Sequence, residues 1–306
     1  MDGILPLWKE AGMTSYDCVF QVRKLLKTKK AGHTGTLDPQ VDGVLPICIG
    51  QGTKISSIIM DSPKVYEAEV CLGMATETED KEGRIIDQKE VSHNFTIDDI
   101  KKVLFHFEGE IQQIPPMYSA VKVKGKKLYE YARQGIEVER PKRQVNIYNL
   151  ELLSHSISWS QNDSTASFRV RIECSKGTYI RTLCVDIGKA LGYPAYMSKL
   201  TRTESGSFTC KQSISLEKLK KTVNENTMKE NVYSIDFALQ KFDTLYVSDH
   251  EKSRFMHGQV LPLPNDLPQT NPFRIKTMKE ELIALYQIHP NKDSLMKPFK
   301  MFQVHT

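Results

Sequence analysis

Between Val65 and Leu72 the chain alternates, with Tyr66, Ala68, Val70 and Leu72 in one row and Glu67 and Glu69 in the other. A period of two over this length predicts a half-buried strand with Tyr66 on its inward face. The same alternation over Ser167 to Cys174 sets Phe168, Val170, Ile172 and Cys174 against Arg169, Arg171 and Glu173, and a third long strand is predicted from Gln144 to Leu153. Gly43 to Gly50 is an apolar run of strand length, Pro115-Pro116 introduces a strand from Met117 to Val123, and one more is expected near Ser205 to Thr209.

Helical spacing interrupts these runs. Thr14-x-x-Asp17 is a capping box that opens a helix with Val19, Val22, Leu25 and Leu26 on its apolar face, ending in the Lys27-Thr28-Lys29-Lys30 run. Thr96-x-x-Asp99 opens a second, with Ile97, Ile100, Val103, Leu104 and Phe107 on one side and Gly109 as its stop. A short helix is expected over Leu128 to Arg133, and Leu183, Ile187 and Leu191 mark another. The polar span Lys218 to Asn231 reads as a helix and surface linker. From Leu245 onward, short apolar runs separated by Gly258 and prolines predict a small β-rich unit. The pattern divides the chain into a large domain over residues 1–240 and a small one over 241–306.

Composition changes this picture mainly by exclusion. With 40% apolar and 26% charged residues the chain belongs to the ordinary globular class. The first residues lack a basic leader, and the longest apolar run, Val44 to Ile49, is interrupted by Pro46 and far too short to span a bilayer. No membrane association and a cytoplasmic location are therefore expected. The six cysteines form no C-x-x-C pair and the eight histidines no metal-binding spacing, so free buried thiols and no metal are expected.

Net charge is +5, and its placement is uneven. Gln21 to Lys30 holds Arg23, Lys24, Lys27, Lys29 and Lys30 without an acid, and Tyr118 to Ile147 is also strongly basic. One such run is usually a solvated face. Two of them point to a polyanionic partner.

The segment with the most chemical content is Gly32-His33-Thr34-Gly35-Thr36-Leu37-Asp38-Pro39. Its glycines allow close backbone approach and Pro39 stiffens the chain after Asp38, so the carboxylate would be held out by a rigid loop. Spacing alone leaves two readings open, a presented nucleophile or a plain Asp-Pro turn.

This octapeptide resembles the catalytic G-H-T-G-x-L-D-P motif of the tRNA pseudouridine synthase B family. Four further signatures of that family follow its order: Lys9 with Gly12-Met13-Thr14-Ser15; Tyr66-Glu67-Ala68 with Leu72-Gly73 and Thr76-x-Thr78-x-Asp80; Pro115-Pro116-x-Tyr118-Ser119-Ala120-x-Lys122; and Ser175-Lys176-Gly177-Thr178-Tyr179-Ile180-Arg181-Thr182. Together they span roughly residues 3 to 210. Glu10 departs from the family, which usually has proline there. The tail resembles the PUA-type RNA-binding appendage only loosely.

The resemblance implies an α+β fold, a mixed and largely antiparallel sheet with flanking helices, followed by a small PUA-like β domain. It implies an isomerase that turns a uridine in the T loop of tRNA, position 55, into pseudouridine without cofactor, metal or protein partner. Asp38 would be the nucleophile, attacking uracil C6 or ribose C1′. Burying a carboxylate favours its neutral form, so a cation is expected beside it, and Arg181 is the candidate for a bidentate clamp. The target base must leave its stack to be reached. By family position Tyr66 stacks on it and can remove the C5 proton, His33 braces the opened loop, and Tyr179 and Leu200 line the uracil pocket. Lys122, with Lys124, Lys126 and Lys127, would track phosphates. A glycosidase would need a second catalytic carboxylate. Glu67 and Glu69, on the face opposite Tyr66, are not expected to supply it.

Overall fold

The computed structural model describes residues 1–160, 164–225 and 227–302. Its main element is an 11-stranded sheet whose central path runs Ile214–Ser215, Gly3–Lys9, Asp42–Ile49, Ala195–Ser205, Lys64–Leu72, Ala166–Cys174, Arg143–Leu152, Gly109–Gln113. Two neighbour pairs on that path are parallel, Gly3–Lys9 with Ile214–Ser215 and Asp42–Ile49 with Ala195–Ser205, and the others are antiparallel. The fold is therefore α+β with a mixed, mostly antiparallel sheet.

The alternating rows explain why the sheet has two covered faces. Ala68, Val70, Leu72, Phe168, Val170 and Ile172 share one core with Cys18, Val19 and Val22 of helix Ser15–Leu25 and with Leu183, Cys184 and Ile187 of helix Ile180–Ala190. Tyr66 packs against the same core, on the inward face expected of it. On the reverse face Ile4, Val44, Cys48 and Phe208 meet Leu285 and Phe302 of the C-terminal unit. That unit is a 5-stranded sheet in the order Thr244–Val247, Phe273–Thr277, Leu282–Ile288, Leu295–Met301, Leu261–Pro262. Asp236, between the two sheets in sequence, ties them electrostatically, pairing with Arg274 at 2.9 Å and Lys276 at 2.8 Å.

Both capping boxes form as their sequences dictate, at Thr14 with Asp17 and at Thr96 with Asp99. The first helix stops at Leu25, so Arg23 and Lys24 occupy its last turn. Lys27 takes a left-handed conformation, φ 47°, and the rest of the basic run forms the turn beyond the helix. The strand expected from Met117 to Val123 shrinks to Lys122–Val123. Upstream of it the backbone bonds elsewhere: the Tyr118 carbonyl accepts from Arg181 and the Ser119 carbonyl from Tyr129. The longest strand of all, Ala195–Ser205, was not expected. Bulges at Met197/Lys199 and Arg202/Glu204 reset its register twice, so its buried residues fall out of period-two phase. Five of the six cysteines are buried free thiols and Cys210 is exposed. No helix among the described residues is long and apolar enough to cross a membrane.

One glycine fixes the junction beneath the site. Gly43 has φ 127° and faces Arg202 across the parallel pair, where an added Cβ would lie 2.3 Å from the Arg202 carbonyl oxygen and 2.6 Å from its amide nitrogen. Both contacts are with backbone and cannot be relieved by a rotamer. Gly43→Ala is expected to cost on the order of 3 kcal/mol or more, measured as a drop in the midpoint of urea unfolding.

Candidate active site

Asp38 stands at the tip of the connection between two paired strands, Ala31–His33 and Asp42–Ile49. The backbone on either side of it is held from several directions. Leu37 donates its N–H to Ser15 Oγ at 2.9 Å and accepts from the same hydroxyl at 3.2 Å. The Pro39 carbonyl accepts from Lys9 Nζ and from the Gly12 amide, both at 2.9 Å. Thr34 donates twice, through N and Oγ1, to the Pro46 carbonyl. Lys9, Ser15 and Thr34 are all buried, so these bonds form away from water. This is the stiff presentation expected from the octapeptide.

Arg181, in the first turn of helix Ile180–Ala190, meets Asp38 through Nε at 3.1 Å from Oδ2. The bidentate clamp expected from the sequence is not formed. The other two guanidinium nitrogens are committed, Nη1 to the Thr78 carbonyl at 2.9 Å and Nη2 to the Tyr118 carbonyl at 3.0 Å. Asp80 lies 3.7 Å from Nη1. The arginine side chain is 7% exposed while that of Asp38 is 45% exposed, so a rigid buried cation holds a carboxylate that still faces solvent. The charged loop Glu77 to Gly83 thus forms part of the cradle of Arg181.

Asp38 and Arg181 stand in the wall shared by two cavities. The larger, ≈ 710 Å³, is also lined by Tyr118, Asp80, Ser198 and Leu200. The smaller, ≈ 310 Å³, is lined by Tyr66, Tyr179, Leu200 and Arg202. Burial raises the Tyr66 pKa, and the Arg202 guanidinium opposes that rise. Tyr179 is fixed by Gln113, whose buried side-chain amide bonds both its N–H, at 3.0 Å, and its carbonyl, at 3.1 Å. Glu69 departs from expectation: held by Ser198 Oγ at 2.6 Å, it reaches the wall of the larger cavity. The bulge at Met197/Lys199 lies directly opposite it. Among the described residues no group of three or more His, Cys, Asp or Glu comes together as a metal site.

Of the residues singled out by sequence, Asp38, Tyr66, Tyr179, Arg181 and Leu200 come together around the smaller cavity. Two do not line either cavity. His33 ends a strand, half-buried, and its Nδ1 accepts from the Gly35 amide at 3.4 Å. Burial, aided by the Arg202 charge, lowers its pKa and favours the neutral ring. Lys122 is exposed on the short hairpin with Lys126–Lys127. Sequence reasoning did not single out Gln113 or Arg202. Neither residue type announces such a role, because a lone glutamine or arginine at a strand end or edge is usually a surface group.

A model of the TruB family pseudouridylate synthase N-terminal domain matches residues 23–180. The chain belongs to the TruB family. A model of the tRNA pseudouridylate synthase B C-terminal domain matches residues 181–245, ending where the second sheet begins. This TruB-family chain is 50% identical over 305 residues to tRNA pseudouridine synthase B of Oceanobacillus iheyensis, covering 99% of this chain and 98% of that protein. It is 48% identical over 306 residues to tRNA pseudouridine synthase B of Staphylococcus aureus, covering 98% and 99%. Among solved structures it resembles one of an H/ACA RNP bound to a substrate RNA containing 2′-deoxyuridine, with a TM-score of 0.73 and 25% identity over 99% of this chain and 85% of that one. A Cbf5-Nop10-Gar1 complex matches with a TM-score of 0.70 and 28% identity over 98% of this chain and 84% of that one. Beside Glu10, Lys9 Nζ reaches the Pro39 carbonyl at 2.9 Å.

Proposed function

We propose that this TruB-family enzyme is a tRNA pseudouridine synthase that isomerises uridine 55 in the T loop. The observation that carries this reading is the Asp38–Arg181 pair, 3.1 Å apart, in the wall common to two cavities, with Tyr66 also lining the smaller one. The names of its full-length relatives support the tRNA substrate.

The uridine leaves its stack and enters the smaller cavity, whose volume of ≈ 310 Å³ is at the low end for small-molecule sites. Tyr66 stacks on the base, while Tyr179 and Leu200 define its other walls. Asp38, ionised beside the buried Arg181, attacks as nucleophile. The glycosidic C1′–N1 bond breaks, the uracil turns, C5 bonds to C1′, the bond to Asp38 is released to restore its carboxylate, and the freed N1 takes up a proton from solvent. Tyr66 then takes the C5 proton. Every atom of the uridine is kept apart from exchanged protons, so the reaction needs no external cofactor or energy source.

The RNA outside the cavity is gripped by charge. Lys122 and Lys127 face each other across the short hairpin, with Lys124 at its tip, an arrangement of like charges that a phosphate backbone relieves. Lys126 and Lys127 also sit over the rings of Tyr131 and Tyr129. His33 braces the opened loop, and the unit over residues 241–306 adds a second, PUA-like grip. The enzyme works in the cytoplasm without protein partners.

The rival reading is a guide-dependent enzyme that works inside a ribonucleoprotein; the resemblance to an H/ACA RNP structure is what keeps it in view. Purified protein incubated with unmodified tRNA transcript separates the two. Conversion at position 55 with no added RNA or protein is the expected result. Conversion only after a guide RNA is supplied, or at another position, would overturn the proposal.

A further inference from the structure

Arg202 is 1% exposed, the largest of the fully buried side chains. It stands directly across from Tyr66 in the register of strands Ala195–Ser205 and Lys64–Leu72, and both residues line the smaller cavity with Asp38. Its Nε donates to the Val44 carbonyl at 2.8 Å and its Nη2 to the Gly35 carbonyl at 3.2 Å. These two acceptors flank the loop that carries Asp38, so one guanidinium spans the loop's base.

What the arginine lacks is a counter-charge. Among the described residues no carboxylate lies within 4.0 Å of it, whereas Arg181 has both Asp38 and Asp80. A cation removed from water without a partner is costly, and two carbonyls satisfy only part of its donors. Negative charge that develops in the cavity during the reaction would meet it. Tyr66 is the group placed to carry that charge: Arg202 acts on its hydroxyl from the neighbouring strand, and Cys174 and Asp38 face it from the other side strand and from the loop.

We propose that Arg202 is a positioning residue for proton abstraction, its charge stabilising the Tyr66 phenolate that removes the C5 proton while its two carbonyl bonds hold the Asp38 loop against that tyrosine. Tyr66 first loses its phenolic proton to solvent. The C5–H bond then breaks, the proton passes to the phenolate oxygen, and the bonding pair returns to the uracil ring, restoring its conjugation as N1 takes up a proton from solvent. Tyr66 ends neutral, with no oxidant or co-reactant required. The inference rests on the reading of Tyr66 as the base.

The test is single-turnover conversion of tRNA transcripts carrying hydrogen or deuterium at uridine C5. Arg202→Gln keeps hydrogen-bond donors but removes the charge, and is expected to slow conversion about 100-fold with a normal primary isotope effect larger than the parent's. Arg202→Lys, which keeps the charge, is expected to show no such rise. A parental rate in Arg202→Gln, or a slow rate with an unchanged isotope effect as a loosened loop would give, overturns the proposal. Should Arg202→Gln fail to fold, Arg202→Lys decides: an unchanged isotope effect upholds the role of charge and a raised one removes it. Tyr66→Phe run in parallel keeps the two claims apart. If it converts at the parental rate, the base assignment falls and Arg202 with it; if it is blocked while Arg202→Gln is not, only the role of Arg202 falls.

Discussion

Replacing Asp38 by asparagine is expected to abolish pseudouridine formation, a loss of at least about 10⁴-fold, while leaving tRNA affinity at the parental level. The substitution is isosteric and removes only the negative oxygen that attacks. The fold should tolerate it, because the Asp38 side chain is 45% exposed and the buried Arg181 keeps its bonds to the Thr78 and Tyr118 carbonyls and its pairing with Asp80. Leu37 and Pro39 keep their anchors, none of which involves the Asp38 side chain. Binding should persist because phosphate contacts from dispersed lysines and arginines carry it. The paired measurement is single-turnover conversion and filter binding on the same transcript. Activity at parental levels would mean that the nucleophile lies elsewhere, and loss of binding in step with activity would mean that Asp38 only shapes the RNA surface.

Arg181→Met is expected to lower the conversion rate about 1,000-fold and to destabilise the protein by about 2 kcal/mol. Two effects are combined there. The carboxylate of Asp38 loses the cation that fixes its position, and the carbonyls of Thr78 and Tyr118 lose their donors, at 2.9 and 3.0 Å. Arg181→Lys separates them, since an ammonium supplies charge but cannot direct donors at Asp38, Thr78 and Tyr118 together. It should retain more activity than the methionine variant and show a similar loss of stability. The rate effect belongs in the catalytic step, so kcat should fall with KM near the parental value. A variant with normal kcat and reduced stability alone would make Arg181 a scaffold residue.

Much of the fold was legible locally. The alternation of Val65 to Leu72 and of Ser167 to Cys174 became two adjacent central strands, because a period of two is imposed by backbone geometry and one buried face. Both capping boxes formed for a similar reason: the two bonds of each box join residues three apart and need no distant partner. What was missed depends on remote contacts. Strand Ala195–Ser205 carries two bulges that destroy its periodicity, and only its neighbours in the sheet hold it extended. The pattern upstream of Lys122 predicts a strand, yet its carbonyls serve Arg181 and Tyr129.

The site divides along the same line. The sequence by itself determined the stiff loop around Asp38 and the inward face for Tyr66, since glycine, proline and alternation act within a few residues, and its ordered motifs carried the resemblance to the family. Tertiary structure alone decided that Arg181 meets Asp38 through Nε, that Glu69 reaches the larger cavity, and that Arg202 stands opposite Tyr66 with no carboxylate within 4.0 Å among the described residues. Those facts concern residues far apart in the chain, as with Asp38 and Arg181, and the physical reason is general: distance, burial and the competition of carbonyls for the same donors exist only once the strands have paired.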